Sequence, residues 1–172
     1  MPTIDNIKLL KYEESLEKGF FLCLVGCNNV PPHIALIADG RYYSASVRGV
    51  KLGVDYKSFL KIVKSKNTET LFIKIETRIN QFQLVEAYEK YPKLLINQSC
   101  LSPIKDYFKK QGSDIYNWNF VFDMIDSLVV ENKIEAAYHL QMEKLLKRNS
   151  FELKQYTKDD IKALIKELKA LC

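Results

Sequence analysis

Residues 33–46, HIALIADGRYYSAS, decide the fold because they hold two β-rich runs joined by Asp39-Gly40. Asp-Gly between alternating apolar residues is among the strongest short-range signals for a hairpin with a two-residue loop. The segment therefore predicts two antiparallel strands, over 33–38 and 41–47.

The two-residue loop also fixes which residues of the hairpin face each other. It places His33 opposite Ser46 and Ala35 opposite Ser44, because pairing in an antiparallel hairpin counts outward from the turn. His33 and the two serines then share one face of the hairpin. The other face is more apolar, so we expect the His33 face to border a cleft or solvent.

The rest of the chain divides into a β-rich first half and a helical second half. The patterns predict a short helix around 11–18, a buried strand over 19–26, a helix over 56–64, a strand over 69–77, a helix over 80–91, a helix that ends at Gly112, and helices over 119–131, 133–147 and 158–171. Loops are predicted over 27–32, which contains Pro-Pro, and over 47–55, which contains two glycines. This order predicts an α+β fold in which residues 1–112 form the core and residues 113–172 form a helical appendage packed on it.

Composition narrows the function classes. The 172 residues carry a net charge of +5, with lysines mixed among acidic residues, so nucleic-acid binding is not expected. The four cysteines lack the spacing of a zinc site, and the sequence indicates neither a metal nor a cofactor. We expect reduced thiols and a cytoplasmic protein. No apolar run approaches the roughly 20 residues that a transmembrane helix needs.

The apolar run GFFLCLVGC, residues 19–27, has two interpretations. LVGC resembles a bacterial lipoprotein cleavage site, which would anchor the protein through Cys27. The preceding segment carries Glu13, Glu14 and Glu17, however, whereas a signal peptide begins with a basic, acid-poor region. We therefore expect a buried strand and keep the lipid anchor at Cys27 as the minor alternative.

His33 and Cys100 are the residues best placed to carry chemistry. An imidazole titrates at about pH 6.5 and can act as a general base, although a histidine at a strand start is commonly structural. Cys100 lies in NQSCLSP, residues 97–103, at or just before a helix start that either Ser102 or Ser99 could cap. In both cases the helix dipole and unpaired N–H groups favour a thiolate and can hold an oxyanion. The alternative for Cys100 is a small buried apolar residue.

Two further features are interpreted as structural. His139 lies within the predicted helix over 133–147 and is expected at the surface or in packing. The aromatic cluster IYNWNFVF, residues 115–122, is expected to pack the helical appendage onto the core, with the lining of a substrate groove as the alternative.

The segments HIALIADG at 33–40 and NQSCLSPIKDYF at 97–108 together resemble the circularly permuted NlpC/P60 papain-like group. That group includes lecithin:retinol acyltransferase-like and YiiX-like proteins. Its histidine opens a strand of the form HWAIYVGDG, and its cysteine follows at a helix start, often as NCEHF. The resemblance covers about residues 19–110.

This resemblance implies a papain-like antiparallel sheet packed with helices and a cysteine hydrolase or acyltransferase that acts on an amide, ester or peptide carbonyl. It implies Cys100 as the nucleophile, His33 as the base and Ser46 as the polar residue beside the histidine, with Ser44 one pair along. The substrate would be a small molecule, a peptide or an acyl compound. One alternative is an inactive papain-fold module that binds a protein partner through its C-terminal helices. The other is an unrelated α+β protein that could bind nucleic acid through its mild positive charge.

Overall fold

The computed structural model describes residues 1–112 and 118–170. Its strands are β1 (Thr3–Ile4), β2 (Lys8–Leu9), β3 (Phe20–Val25), β4 (His33–Ala38), β5 (Arg41–Ser46), β6 (Gly49–Asp55), β7 (Thr70–Ile75), β8 (Ile134–Leu140) and β9 (Phe151–Glu152). Its helices are α1 (Tyr56–Ser65), α2 (Gln81–Glu89), α3 (Ser102–Lys110), α4 (Val121–Val130) and α5 (Lys158–Ala170), and a 3₁₀ turn spans Glu13–Leu16. The α+β class predicted from the sequence is confirmed.

The strands form one large sheet of seven strands in the order β2-β8-β7-β3-β4-β5-β6. Neighbouring strands run antiparallel except at one edge, where β2 and β8 are parallel. β1 and β9 pair separately as a short antiparallel ribbon. Because β8 lies between β7 and β2, the segment predicted to be a helical appendage contributes an interior strand to the sheet.

β3 lies at the centre of the sheet and is buried on both faces. Phe20, Leu22 and Leu24 pack on the face covered by α2, α3 and α4. Phe21 and Cys23 pack on the opposite face, against α1. A strand that is covered on both faces reads as a continuous apolar run rather than an alternating one, which is the pattern of FFLCLV.

The face of the hairpin that was expected to border a cleft or solvent is instead covered along most of its length. Ala35, Ile37 and Tyr42 are buried beneath α1. The ring of Phe59 in α1 stacks on the ring of Tyr42, with 4.1 Å between centroids. His33, at the end of this strand, is less buried than Ala35 and Ile37.

Two predicted elements are wrong. Residues 47–55, predicted as a loop, contain β6, which is tolerated at the edge of the sheet despite its two glycines. The helix predicted over 133–147 is β8 in its first half. Ladder pairing with β7 and β2 outweighs the helical propensity of this segment. His139 is accordingly a strand residue, 6% exposed, and its Nδ1 is buried without a partner in the described part of the chain.

Cys27, the residue of the alternative lipid anchor, is buried in this fold. Its side chain is 8% exposed and its thiol donates to the carbonyl oxygen of Leu24 over 3.3 Å. Among the residues that the structure describes, no helix combines the length and the apolar character that crossing a membrane requires.

Candidate active site

The candidate site lies where β4 and β5 separate. Near the turn the hairpin has the predicted register, with Ile37 opposite Tyr42. The ladder ends at the pair of Leu36 and Tyr43, although β4 extends back to His33. Beyond this point side chains rather than backbone groups connect the two strands.

His33 is held by Ser44 and not by Ser46. The imidazole Nε2 of His33 lies 2.8 Å from the hydroxyl oxygen of Ser44. Ser46 instead donates to the carbonyl oxygen of Gly49 and accepts from the N–H of Arg48, each over 3.2 Å. The prediction that Ser46 stands beside the imidazole assumed that the ladder continues to the strand ends. Because it does not, the polar neighbour of His33 is the serine that was one pair along.

Tyr42 is the next polar group beyond Ser44. Burial raises the pKa of the Tyr42 hydroxyl, and a hydrogen bond from Ser44 partly offsets that rise. Ser44 is 7% exposed, so its hydroxyl is shielded from competing water. The arrangement is a buried chain of polar groups that runs from Tyr42 through Ser44 to His33.

Cys100 approaches β4 from the start of α3. Its Sγ lies 3.5 Å from the backbone nitrogen of Ile34, which donates a hydrogen bond to it. Ile34 N is bonded to the carbonyl carbon of His33, so Sγ lies within about 6 Å of His33 Cα. The structure therefore brings together the two residues that the sequence selected as nucleophile and base.

The backbone around Cys100 is fixed by the serines that flank it. α3 begins at Ser102, and its N-cap residue is Leu101, which makes no side-chain cap. Cys100 thus lies just outside the helix, but neither Ser99 nor Ser102 is the N-cap. Leu101 N–H donates to Ser99 Oγ over 3.3 Å, and Ser99 N–H donates to Ser102 Oγ over 3.1 Å. These bonds hold the turn that carries the thiol.

Burial determines the protonation states of both groups. It raises the pKa of the Cys100 thiol, and the N–H groups of Ile34, Cys100 and Leu101 only partly offset the rise. The expectation that the helix start favours a thiolate is wrong for this environment, since desolvation outweighs the hydrogen bonds. Burial also lowers the pKa of His33 to about 4. The resting pair is a neutral thiol beside a neutral imidazole.

Cys100 and His33 line a narrow, mostly apolar cavity of about 100 Å³, which we call the thiol cavity. Part of its wall is the apolar face of α5. The other lining side chains are largely apolar. The α5 residues of the wall are Ile161, Leu164, Ile165 and Leu168.

The part of the aromatic cluster 115–122 that lies within the described residues packs on α3 and borders a cavity. The ring of Trp118 packs edge-on against Phe108 of α3, with 5.7 Å between centroids. Phe120 lines the thiol cavity. Residues 115–117 of the cluster lie outside the described residues.

Sequence reasoning missed two participants in the site. Tyr42 was taken only as a strand residue, and its hydrogen bond with Ser44 depends on the local geometry where the ladder ends. The apolar stripe of α5 repeats at helical spacing, which indicates a buried face but not what that face covers. Neither position could be assigned to the site without the tertiary structure.

Comparison of the chain with models of protein families, with curated proteins and with solved structures finds no match. Within residues 1–112 and 118–170, no group of three or more histidine, cysteine, aspartate or glutamate side chains is arranged to hold a metal ion.

Proposed function

We propose that the protein is a papain-like cysteine hydrolase or acyltransferase of the permuted NlpC/P60 type. One observation carries the proposal: the thiol of Cys100 is hydrogen-bonded to the residue that follows His33, and both side chains line one cavity. A nucleophile, a base within reach of it and a third group that orients the base are the parts that nucleophilic acyl transfer needs. We assign these parts to Cys100, His33 and Ser44.

The hydrogen-bond chain favours the tautomer of His33 that catalysis needs. If Ser44 donates its proton to Tyr42, its oxygen is free to accept from Nε2–H of His33. Nδ1 then carries the lone pair and can take the proton of the thiol. In this role Ser44 orients the imidazole, as the third member of a catalytic triad does.

The first chemical step is acylation of Cys100. As Sγ attacks the substrate carbonyl carbon, the thiol proton passes to Nδ1 of His33, because the resting pair is neutral and proton transfer must accompany attack. The carbonyl electron pair moves onto oxygen, and the backbone N–H of Cys100 can donate a hydrogen bond to that oxygen. Collapse of this intermediate breaks the bond to the leaving group, which takes the proton from His33.

The second step releases the acyl group. Water, or an alcohol or amine acceptor, loses a proton to His33 and attacks the thioester carbon. The carbon–sulfur bond breaks, and the sulfur regains its proton from His33. Water as the acceptor makes the protein a hydrolase, and an alcohol or amine makes it an acyltransferase. The small-molecule, peptide or acyl substrate and the cytoplasmic location predicted from the sequence belong to the same proposal.

A second candidate function is an inactive papain-fold module that binds a partner or ligand. The raised pKa of Cys100 and the narrow apolar cavity in which its thiol lies favour it, because an exposed, ionised thiol is the usual mark of a reactive cysteine. The two candidates differ in whether Cys100 forms a covalent intermediate.

Acylation of Cys100 by 4-nitrophenyl butyrate separates the two candidates. The enzyme should release a burst of 4-nitrophenolate. Mass spectrometry of the intact protein should show one added butyryl group, which should be absent in Cys100→Ala. Cys172→Ser is the matched control, since it removes a thiol outside the described residues and should leave the burst unchanged. A correctly folded protein that gives no burst and no acyl adduct would establish the binding module instead.

A further inference from the structure

A second cavity adjoins the thiol cavity and differs from it in character. It has a volume of about 350 Å³, and we call it the lysine cavity because Lys105, Lys158 and Lys162 line it. Amide side chains of Asn97 and Asn119 supply further hydrogen-bonding groups to its wall. A positively charged, hydrogen-bonding cavity therefore lies next to a narrow apolar one.

The two cavities meet at the turn that carries the candidate nucleophile. Ser99 and Leu101, the neighbours of Cys100 on either side, line both cavities, as do Asn119 and Ile161. A substrate whose carbonyl sits at Cys100 would extend in one direction along apolar side chains and in the other among lysines.

The charge of the lysine cavity is only partly neutralised. Lys162 lies 3.3 Å from Asp159, and both side chains are exposed. Lys105 and Lys158 form no ion pair with any residue in the described ranges. These two ammonium groups are available to an anion.

Two carboxylates that lie close in the sequence to lining residues of this cavity accept hydrogen bonds from other donors. Asp123 accepts hydrogen bonds from the backbone N–H groups of Asn119 and Phe120 over 2.9 and 3.0 Å. Asp160 accepts from the backbone N–H and the hydroxyl of Thr157. These acids stabilise the starts of α4 and α5 and do not pair with Lys105 or Lys158.

We propose that the lysine cavity is a binding subsite for an anionic group on the leaving-group side of the substrate, held by Lys105 and Lys158. This inference rests on the proposed function, because that function places the scissile carbonyl at Cys100. The apolar acyl part lies in the thiol cavity, and a carboxylate or phosphate lies among the lysines. The substrate class is an acyl ester or thioester whose leaving group carries a negative charge.

A pair of chromogenic esters tests the subsite. 4-Nitrophenyl butyrate and its 3-carboxy derivative share the acyl group and differ by one carboxylate on the leaving group. In the double variant Lys105→Gln/Lys158→Gln we expect kcat/KM for the carboxylated ester to fall about tenfold, which is the loss of one modest charge-assisted contact. The uncharged ester should change by less than about twofold. The difference between the esters should shrink as salt screens the lysines.

The matched control is Lys109→Gln/Lys166→Gln, which removes two exposed lysines from the same helices. Neither residue lines the lysine cavity. For both esters, kcat/KM of this variant should equal that of the unsubstituted protein. If it lowers kcat/KM for the carboxylated ester as much as the double variant, the effect is one of net charge and the subsite is overturned.

Direct binding separates a failure of the subsite from a failure of the proposed function. In Cys100→Ala, calorimetry should show binding of 5-hydroxy-2-nitrobenzoate, the carboxylated phenol product, but weaker binding of 4-nitrophenol. Such binding, lost on Lys105→Gln/Lys158→Gln, supports the subsite even if Cys100 is never acylated. Acylation of Cys100 by both esters at rates that the lysines do not affect overturns the subsite and leaves the proposed function standing.

Vesicles distinguish a soluble anionic substrate from a membrane surface. Phosphatidylglycerol vesicles present anionic headgroups, and phosphatidylcholine vesicles serve as their uncharged counterpart. Sedimentation with the anionic vesicles that depends on Lys105 and Lys158, together with no binding of the free carboxylated phenol, would overturn the subsite in favour of a surface contact.

Discussion

The imidazole of His33 and the hydroxyl of Ser44 meet at 2.8 Å across the point where β4 and β5 stop pairing. An unbroken ladder would have put Ala35 and not His33 opposite Ser44. The separation of the strands therefore does two things at once. It gives His33 an orienting partner, and it leaves the N–H of Ile34 to bind the sulfur of Cys100.

Ser44→Ala should impair the proposed catalysis, whereas Ser46→Ala should not. Loss of Ser44 removes the group that orients His33, and we expect the rate of Cys100 acylation to fall on the order of tenfold, within the range that positioned acid–base groups contribute. Ser46→Ala is the matched control because, among the described residues, its hydroxyl bonds to the adjacent turn and not to His33. The measurement is the burst of 4-nitrophenolate from 4-nitrophenyl butyrate as a function of pH. Equal losses in the two variants would remove the special role of Ser44.

His33 should make the protein less stable in acid. Burial lowers the pKa of His33 from 6.5 to about 4, so between these values the unfolded chain binds a proton that the folded chain does not. The free energy of unfolding is then unaffected above pH 6.5 and falls as the pH drops from 6.5 towards 4. The loss is at most about 3 to 4 kcal/mol, since a difference of one in pKa corresponds to about 1.4 kcal/mol.

Urea unfolding of the unsubstituted protein and of His33→Gln measures this contribution. Acidic side chains titrate in the same range, so the informative quantity is the difference between the two proteins at each pH. It should change between pH 6.5 and 4. His139→Gln serves as a comparison, because burial also lowers the pKa of His139, although Glu143 opposes that shift. A constant difference between the unsubstituted protein and His33→Gln would mean that the His33 pKa is not lowered.

The central hairpin could be predicted from the sequence because local signals determine it. Asp39-Gly40 fixes the turn, and the register near it, including the pair of Ile37 and Tyr42, is confirmed. β4 spans the predicted residues 33–38. The proximity of Cys100 to His33 was expected only through the resemblance, since nothing in either segment encodes contact with the other.

The other elements were harder to predict, because pairing between strands that are far apart in the sequence determines them. The residues of β8 include good helix formers, and only the neighbouring strands β7 and β2 make an extended conformation favourable. Ser46 was predicted to lie beside His33 because residue pairs were counted outward from the turn, beyond the last pair that the structure contains. Where the ladder has ended, Ile34 N–H donates to the sulfur of Cys100 from a distant segment, and a local pattern cannot contain that information.

Cys100 should react slowly with iodoacetamide near neutral pH. Burial raises the pKa of its thiol above 9.0, so only a small fraction is thiolate, which is the reactive form. In a Cys172→Ser background we expect the alkylation rate to be at least about tenfold below that of free cysteine at pH 7.5 and to rise steeply above pH 9. Mass spectrometry of the alkylated peptide identifies the site.

Cys23 and Cys27 provide internal comparisons for that experiment. Burial raises the pKa of Cys23 still more strongly and that of Cys27 to about 12, so both should react after Cys100. A rate at Cys100 that is fast and independent of pH between 6 and 8 would indicate a stable thiolate. The neutral resting pair would then be wrong, and proton transfer would precede attack on the substrate.

Ile165→Asp should open the thiol cavity. Ile165 is 6% exposed, lines the cavity, and is the buried residue of α5 within the described part of that helix. An unpaired carboxylate at this position would lose its hydration, and release of α5 from the cavity relieves that cost. Because α5 forms part of the wall of the thiol cavity, we expect alkylation of Cys100 at pH 7.5 to accelerate by about tenfold or more, as access ceases to limit the reaction.

Lys166→Asp is the matched control for that substitution, since it adds a carboxylate to the adjacent, exposed position of the same helix. It should leave the alkylation rate unchanged, although the net charge falls by more than in Ile165→Asp.

Hydrogen exchange should show faster exchange in α5 of Ile165→Asp while β3 and β4 stay protected, because the helix can detach without disrupting the central sheet. If the sheet exchanges as fast as α5, the substitution has unfolded the protein. If α5 opens but Cys100 reacts no faster, α5 is not what restricts access to the thiol, and the narrow cavity must be closed by the hairpin end and the aromatic side chains of Phe120 and Tyr156.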